Sequence, residues 1–122
     1  MKLGAVLLTL FTLAIPSLAQ DESCDGNTYD TAVCLLRVLK KADAELNAVY
    51  QKSLKVANDF TPADAQNLKN AERKWISYRD STCKAETGLW GVGTGGPATH
   101  SICLIRITEQ RIDDLKAAYL SR

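Results

Sequence analysis

Four cysteines, one histidine and a tryptophan–arginine–aspartate cluster are the residues of this chain best able to do chemistry. Cys24, Cys34, Cys83 and Cys103 are separated by 9, 48 and 19 intervening residues, and His100 is the single histidine. A zinc site would need close cysteine pairs such as C-x-x-C with further ligands, so this spacing argues for disulfides and against a metal. Two disulfides also remove the thiols that nucleophilic catalysis would use, and one histidine leaves no base–nucleophile pair beside it. His100 stands between Thr99 and Ser101 at the expected start of a helix, where an exposed capping role fits it. The acidic residues Asp43, Glu45, Glu72 and Asp80 belong to helical stretches and read mainly as solvated faces.

A more pointed group is Trp75-Ile76-Ser77-Tyr78-Arg79-Asp80, which sets an arginine and an aspartate beside a tryptophan expected in the core. A guanidinium pairs well with planar acceptors, so Arg79 gripping Asp43 or the Asn47 amide would make a buried clamp between two helices. Asp43, Asn47, Trp75, Arg79 and Asp80 are therefore expected to fix helix register. A cell-wall-cleaving enzyme would instead need two carboxylates facing one cleft, about 5–10 Å apart. Carboxylates that could pair are available in Asp43, Glu45, Glu72 and Asp80, but most read as solvated faces, and no enzymatic activity and no cofactor are expected.

These residues need elements to position them, and those elements begin after an address. Lys2, the apolar run Leu3 to Ile15, Pro16 and then Ser17-Leu18-Ala19 form the pattern of a secretory signal, with cleavage expected before Gln20. The run is shorter than the roughly 20 residues that span a bilayer. Asp21-Glu22-Ser23 before Cys24 is not the small-residue motif of a lipidated cysteine, so no membrane anchor is expected. Residues 1–19 are thus read as a cleaved signal peptide and 20–122 as one domain, periplasmic or secreted, where an oxidising compartment suits the cysteines. Fifteen basic residues, Lys2 among them, face 14 acidic ones. The exported part therefore carries equal numbers of each and lacks the basic footprint of a nucleic-acid binder.

The exported part divides into three periodic stretches and no strand pattern. Leu35, Leu39, Ala42, Leu46, Val49 and Leu54 recur at helical spacing, with Asn27 or Thr28 as cap and an end near Asn58-Asp59. Thr61-Pro62-Ala63-Asp64 opens a second helix, whose buried stripe reads Leu68, Ala71, Trp75 and Tyr78 and which reaches Cys83 or slightly beyond. A third starts between Pro97 and His100, with Ile102, Ile105, Ile112, Leu115 and Tyr119 buried and Leu104 and Ile107 widening the apolar face. The expected fold is all-α: a small antiparallel three-helix bundle stapled by two disulfides, with a Gly-rich loop between helices two and three.

The register gathers the four cysteines at one end. Three pairings are possible, and a turn centred near residue 60 favours Cys34–Cys83 with Cys24–Cys103. Closing the loop of roughly 50 residues between the first pair would contribute about 4 kcal/mol. The loop itself, Gly88 to Pro97, holds five of the chain's seven glycines and is too glycine-rich for a helix. Leu89, Trp90 and His100 are the candidate partner-binding residues, because apolar and aromatic anchors on loops dominate many interfaces.

Three blocks of the chain together resemble a known family. Cys24 and Cys34 with Ala42-Asp43-Ala44-Glu45-Leu46-Asn47-Ala48-Val49-Tyr50-Gln51 look like the opening of the LprI-like lysozyme inhibitor domain. Trp75-Ile76-Ser77-Tyr78-Arg79-Asp80-Ser81-Thr82-Cys83 resembles its W-x-x-Y/F-R-D-x-x-C signature. Ser101-Ile102-Cys103-Leu104 with Thr108-Glu109-Gln110-Arg111 is similar to its closing segment. The resemblance spans essentially all of residues 20–122 and implies an exported helical domain with two disulfides and no cofactor. It further implies a protein partner, a lysozyme, held by surface contact. A structural or accessory envelope protein that binds another secreted protein is the second reading.

Overall fold

The computed structural model describes residues 23–89, 93 and 95–121; the expected signal peptide, Trp90, Gly91 and Val92 lie outside them. Three long helices follow one another: α1 (Thr28–Phe60), α2 (Pro62–Leu89) and α3 (Gly96–Leu115), the last continued by one π-helical turn (Lys116–Leu120). Asn27 caps α1, its side-chain oxygen accepting from the Tyr29 and Asp30 amides at 3.0 Å each. One residue separates α1 from α2. Thr61 ends the first helix by donating its amide to the Ala57 carbonyl, and starts the second by accepting from the Asp64 amide at its hydroxyl. With so short a connection α2 returns antiparallel to α1, and α3 runs back alongside both.

Two clusters form the core. Leu46, Val49, Ala57, Ala65, Leu68, Ile112 and Leu115 fill the half nearest the α1–α2 turn. Cys83, Cys103 and Ile107 fill the half near the other pole. Trp75 packs against both clusters, so one indole joins the two halves. No buried polar side-chain atom among the described residues lacks a partner; the fully buried Ser53, for example, returns its hydroxyl to the Val49 carbonyl at 2.9 Å.

The disulfides join Cys24 to Cys34 and Cys83 to Cys103, which corrects the expected pairing of Cys34 with Cys83 and Cys24 with Cys103. Register is the reason. The Arg79–Asp43 ion pair sets α1 against α2, and counting outward from it brings Cys34 level with Gly88. Five residues separate Gly88 from Cys83, about 7 Å of helix rise before any distance between axes is added. A disulfide tolerates only about 4.4–6.8 Å between Cα atoms. The start of α3 meets α2 at Cys83 instead, and Cys34 takes its partner from the segment just ahead of its own helix.

Burial departs from the apolar count in an instructive way. Tyr78 and Ile102 are 60% and 53% exposed, and Ala71 is exposed as well. The inward line of α2 is Leu68, Glu72, Trp75, Arg79 and Cys83, spaced by four, three, four and four residues as one helix face requires. Two of these five are charged, so a search for apolar periodicity steps off the line at Ala71 and Tyr78. α2 also runs on through Gly88 to Leu89, further than the expected end at Cys83 or slightly beyond, and takes in the first two residues of the segment expected to be loop. Contacts from α3 hold that last turn, and they outweigh the ~1 kcal/mol a helical glycine costs.

Each disulfide closes a short segment, with sequence separations of 10 and 20, so the chain-entropy argument gives each about 3 kcal/mol. Non-reducing peptide mapping should recover Cys24 linked to Cys34 and Cys83 linked to Cys103. In urea melts the double variant C83S/C103S should lose more stability than C24S/C34S, because Cys83 and Cys103 sit in the core and Cys24 does not.

Candidate functional site

The inward line of α2 carries its charges to a groove between α1 and α2. Asp43, Leu46, Asn47 and Tyr50 line one wall, and Glu72, Trp75, Ile76 and Arg79 the other, around a volume of about 310 Å³. Each wall residue is placed by helical spacing. Asp43, Asn47 and Tyr50 fall on one flank of α1 at intervals of four and three, while Glu72, Ile76 and Arg79 do the same on α2.

Arg79 is the most connected side chain in the site. Its Nη1 donates to Asp43 Oδ1 at 3.0 Å and to the Thr108 hydroxyl at 3.2 Å, and its Nε donates to Asp80 Oδ1 at 3.0 Å. One guanidinium on α2 thus bonds to both other helices. It also lies against Trp75, with Cζ 5.3 Å from the ring centroid. A second guanidinium, that of Arg111 on α3, is 5.8 Å from the same ring. Arg111 closes a largely buried ion pair, donating Nε and Nη2 to Glu72 Oε2 at 3.0 and 2.8 Å. Cations held over an indole are attracted by its electron-rich face, and each has a carboxylate to balance its charge.

Of the residues singled out in the sequence, Asp43, Asn47, Trp75 and Arg79 come together in this groove, and Asp80 reaches it through Arg79. Asn47 lines the groove without bonding to Arg79; Asp43 and Thr108 occupy the guanidinium instead. Glu72, read from the sequence as part of a solvated face, is buried instead, and Arg111, Tyr50 and Thr108 were not singled out as site residues. The sequence signal for Glu72 is phase, since it sits four residues from Leu68 and three from Trp75, on the buried line.

Tyr50 is the group whose ionisation the fold visibly alters. Burial, aided by the nearby Glu72 carboxylate, pushes its phenol above the ordinary value of 10.0, against the opposing pull of Arg73 and Arg111. A phenol is protonated throughout the neutral range in any case, so this shift matters only at alkaline pH.

Of the remaining sequence candidates, Leu89 and His100 lie near the pole that holds the disulfides. Leu89 ends α2 and is 85% exposed. Trp90 lies outside the described residues. His100 is half-buried in α3, which corrects the reading of it as an exposed cap. Its Nδ1 is 3.1 Å from the Thr87 hydroxyl and 3.4 Å from the Cys83 carbonyl. Thr87 already donates its single hydroxyl hydrogen to the Cys83 carbonyl at 2.6 Å, so Nδ1 must carry the proton and donate. His100 faces α2 because the Cys83–Cys103 bridge draws the two helices together there. Among the described residues no group of three or more His, Cys, Asp or Glu could hold a metal ion.

Removing one partner of the Glu72–Arg111 pair strands a buried charge, so Arg111→Met should cost about 3 kcal/mol in urea melts. E72M/R111M, which removes both charges, should regain most of that loss. The raised Tyr50 ionisation carries its own stability signature. A phenol pushed up by the fold contributes stability that is whole below its ordinary value and fades as pH climbs through the raised one. Wild-type stability should accordingly fall more steeply than that of Tyr50→Phe once pH passes 10.0, with phenolate absorbance showing one late-titrating group that the variant lacks.

An uncharacterized protein of Rhizobium meliloti (strain 1021) is 34% identical over 97 residues, covering 71% of this chain and 70% of its own length. No solved structure matches. The lysozyme inhibitor LprI family matches residues 19–115, a span that takes in both disulfides, the Trp75–Arg79 cluster and the groove. On that extent of match the chain belongs to the lysozyme inhibitor LprI family.

Proposed function

We propose that this protein is exported to the cell envelope or beyond it and inhibits a lysozyme by sitting on it. The observation that carries this reading is the family match over residues 19–115. Two disulfides with no free cysteine among the described residues suit an oxidising compartment, and the leader-like residues 1–19 supply the export route. No described helix is long and apolar enough to cross a membrane.

The geometry favours contact over catalysis. The groove carboxylates Asp43 and Glu72 each accept bonds from a guanidinium, unlike the apolar pocket that keeps a catalytic carboxyl protonated in a glycosidase. The exposed apolar side chains concentrate where α1 and α3 begin and α2 ends: Tyr29, Val33 and Leu36 on α1, Leu89 on α2 and Ile102 on α3. Tyrosine is enriched among the few residues that carry most of an interface's energy, and apolar neighbours around such an anchor exclude water from it. This pole, with Leu89, is the blocking face in our reading; Trp90, the next residue in the chain and the other loop candidate, lies outside the described residues. His100 serves the pole by tying the end of α2 to α3.

The test is a muramidase assay with the oxidised chain 20–122 against several lysozyme types, joined to a direct binding measurement. Inhibition at micromolar protein is expected, and Leu89→Asp should weaken it at least about tenfold with an unchanged melting temperature. Absence of both binding and inhibition across lysozyme types would remove the inhibitor reading and favour an accessory role toward another secreted protein.

A further inference from the structure

The groove between α1 and α2 holds more hydrogen-bonding capacity than the fold consumes. Among the described residues the Asn47 amide and the Tyr50 hydroxyl have no bond to another side chain or to backbone, although both line the groove. Asp43 uses only Oδ1 and Glu72 only Oε2 in their ion pairs. Glu72 is a buried residue, yet it leaves no buried atom unsatisfied, so its second oxygen is open to water. Beside these stands an apolar surface that includes Ile76, which is 44% exposed.

We propose that this groove is a binding site for a neutral, hydroxyl-rich ligand with one apolar face, that is, a sugar ring. Charge decides the first part. Arg79 is paired with Asp43 and Asp80, and Arg111 with Glu72, while Arg73 stands close enough to act on the Tyr50 phenol. Three cations thus face three carboxylates; an anion would have to break an existing pair, and a cation meets no net negative charge. A wholly apolar ligand would strip water from two carboxylates and return no bond, a costly exchange. A sugar fits both constraints. Its hydroxyls donate to the spare oxygens of Asp43 and Glu72 and accept from Asn47 and Tyr50, while its C–H face covers Ile76 and Leu46. Tyr50 can donate because a phenol is protonated at neutral pH. The volume of about 310 Å³ lies at the lower edge of the roughly 300–1,000 Å³ typical of small-molecule sites, room for a ring and its substituents rather than a long chain. The walls are preorganised, since Arg79 and Arg111 are held before any ligand arrives, and that lowers the ordering cost of binding.

The proposal is independent of lysozyme inhibition and is tested with no lysozyme present. The oxidised chain 20–122, labelled with nitrogen-15, is titrated with N-acetylglucosamine as the neutral sugar, with glucuronate as a charged one and with N-acetyl-alanine methylamide as a peptide mimic. Saturable shifts of the Asn47 side-chain amide and the Trp75 indole N–H are expected with N-acetylglucosamine alone. Asn47→Ala should weaken that binding about tenfold, the loss of an amide's bonds, and Tyr50→Phe less, both with the melting temperature unchanged. Asn47 is exposed, so its variant keeps the fold. Three results would overturn the proposal: no saturable shift up to the solubility limit, binding unaltered in both variants, or an equal or larger response of the same residues to the peptide mimic.

Discussion

The molecule is organised around one guanidinium. Arg79 bonds to Asp43 on α1 and Thr108 on α3 while its own backbone belongs to α2, so it measures the bundle at one level. A cation that is 16% exposed must be supplied with acceptors or pay heavily in desolvation, and only one relative placement of the three helices supplies them. Hydrophobic burial draws amphipathic helices together without a strong preference for height; the pairing of Arg79 adds that preference. Trp75, one turn away, packs into both halves of the core and lies against two guanidiniums, so the same level is where the apolar and ionic parts of the structure meet.

The disulfides act differently. Neither crosses from α1 to α2, and each closes a short stretch of chain. Cys83–Cys103 fastens the end of α2 to the start of α3, on either side of the glycine-rich connection, and the His100–Thr87 contact continues that seam. Cys24–Cys34 ties the chain's entry to the first turns of α1. Both reinforce the pole where the helices lack the extended core that Leu46, Leu68 and Leu115 build at the other end. Small exported domains commonly use cystines where burial alone is thin.

Two surfaces follow from this arrangement, and they differ in kind. The disulfide pole presents exposed apolar side chains from all three helices, the material of a protein contact. The α1–α2 groove presents fixed charges already balanced, with spare acceptors and donors beside an apolar wall, the material of small-ligand recognition. The residues that define the groove are also those that set helix register, and a site built on such side chains inherits their rigidity.

Much of the fold was legible in the residues alone. The Asn27 cap, the Thr61-Pro62 break and the stripe running through Ala42, Leu46 and Val49 are local signals, and local sterics and hydrogen bonding suffice to read them. The all-α class, the disulfide chemistry and the family resemblance followed from the same kind of evidence. What tertiary structure alone decided was which cysteines meet, which face of α2 turns inward and what surrounds His100. Disulfide pairing hinges on about 7 Å of axial register, finer than a turn position read from sequence. The inward face of α2 carries Glu72 and Arg79, charges that can be buried only because Arg111, Asp43 and Thr108 arrive from other helices, and no count of apolar residues contains those arrivals.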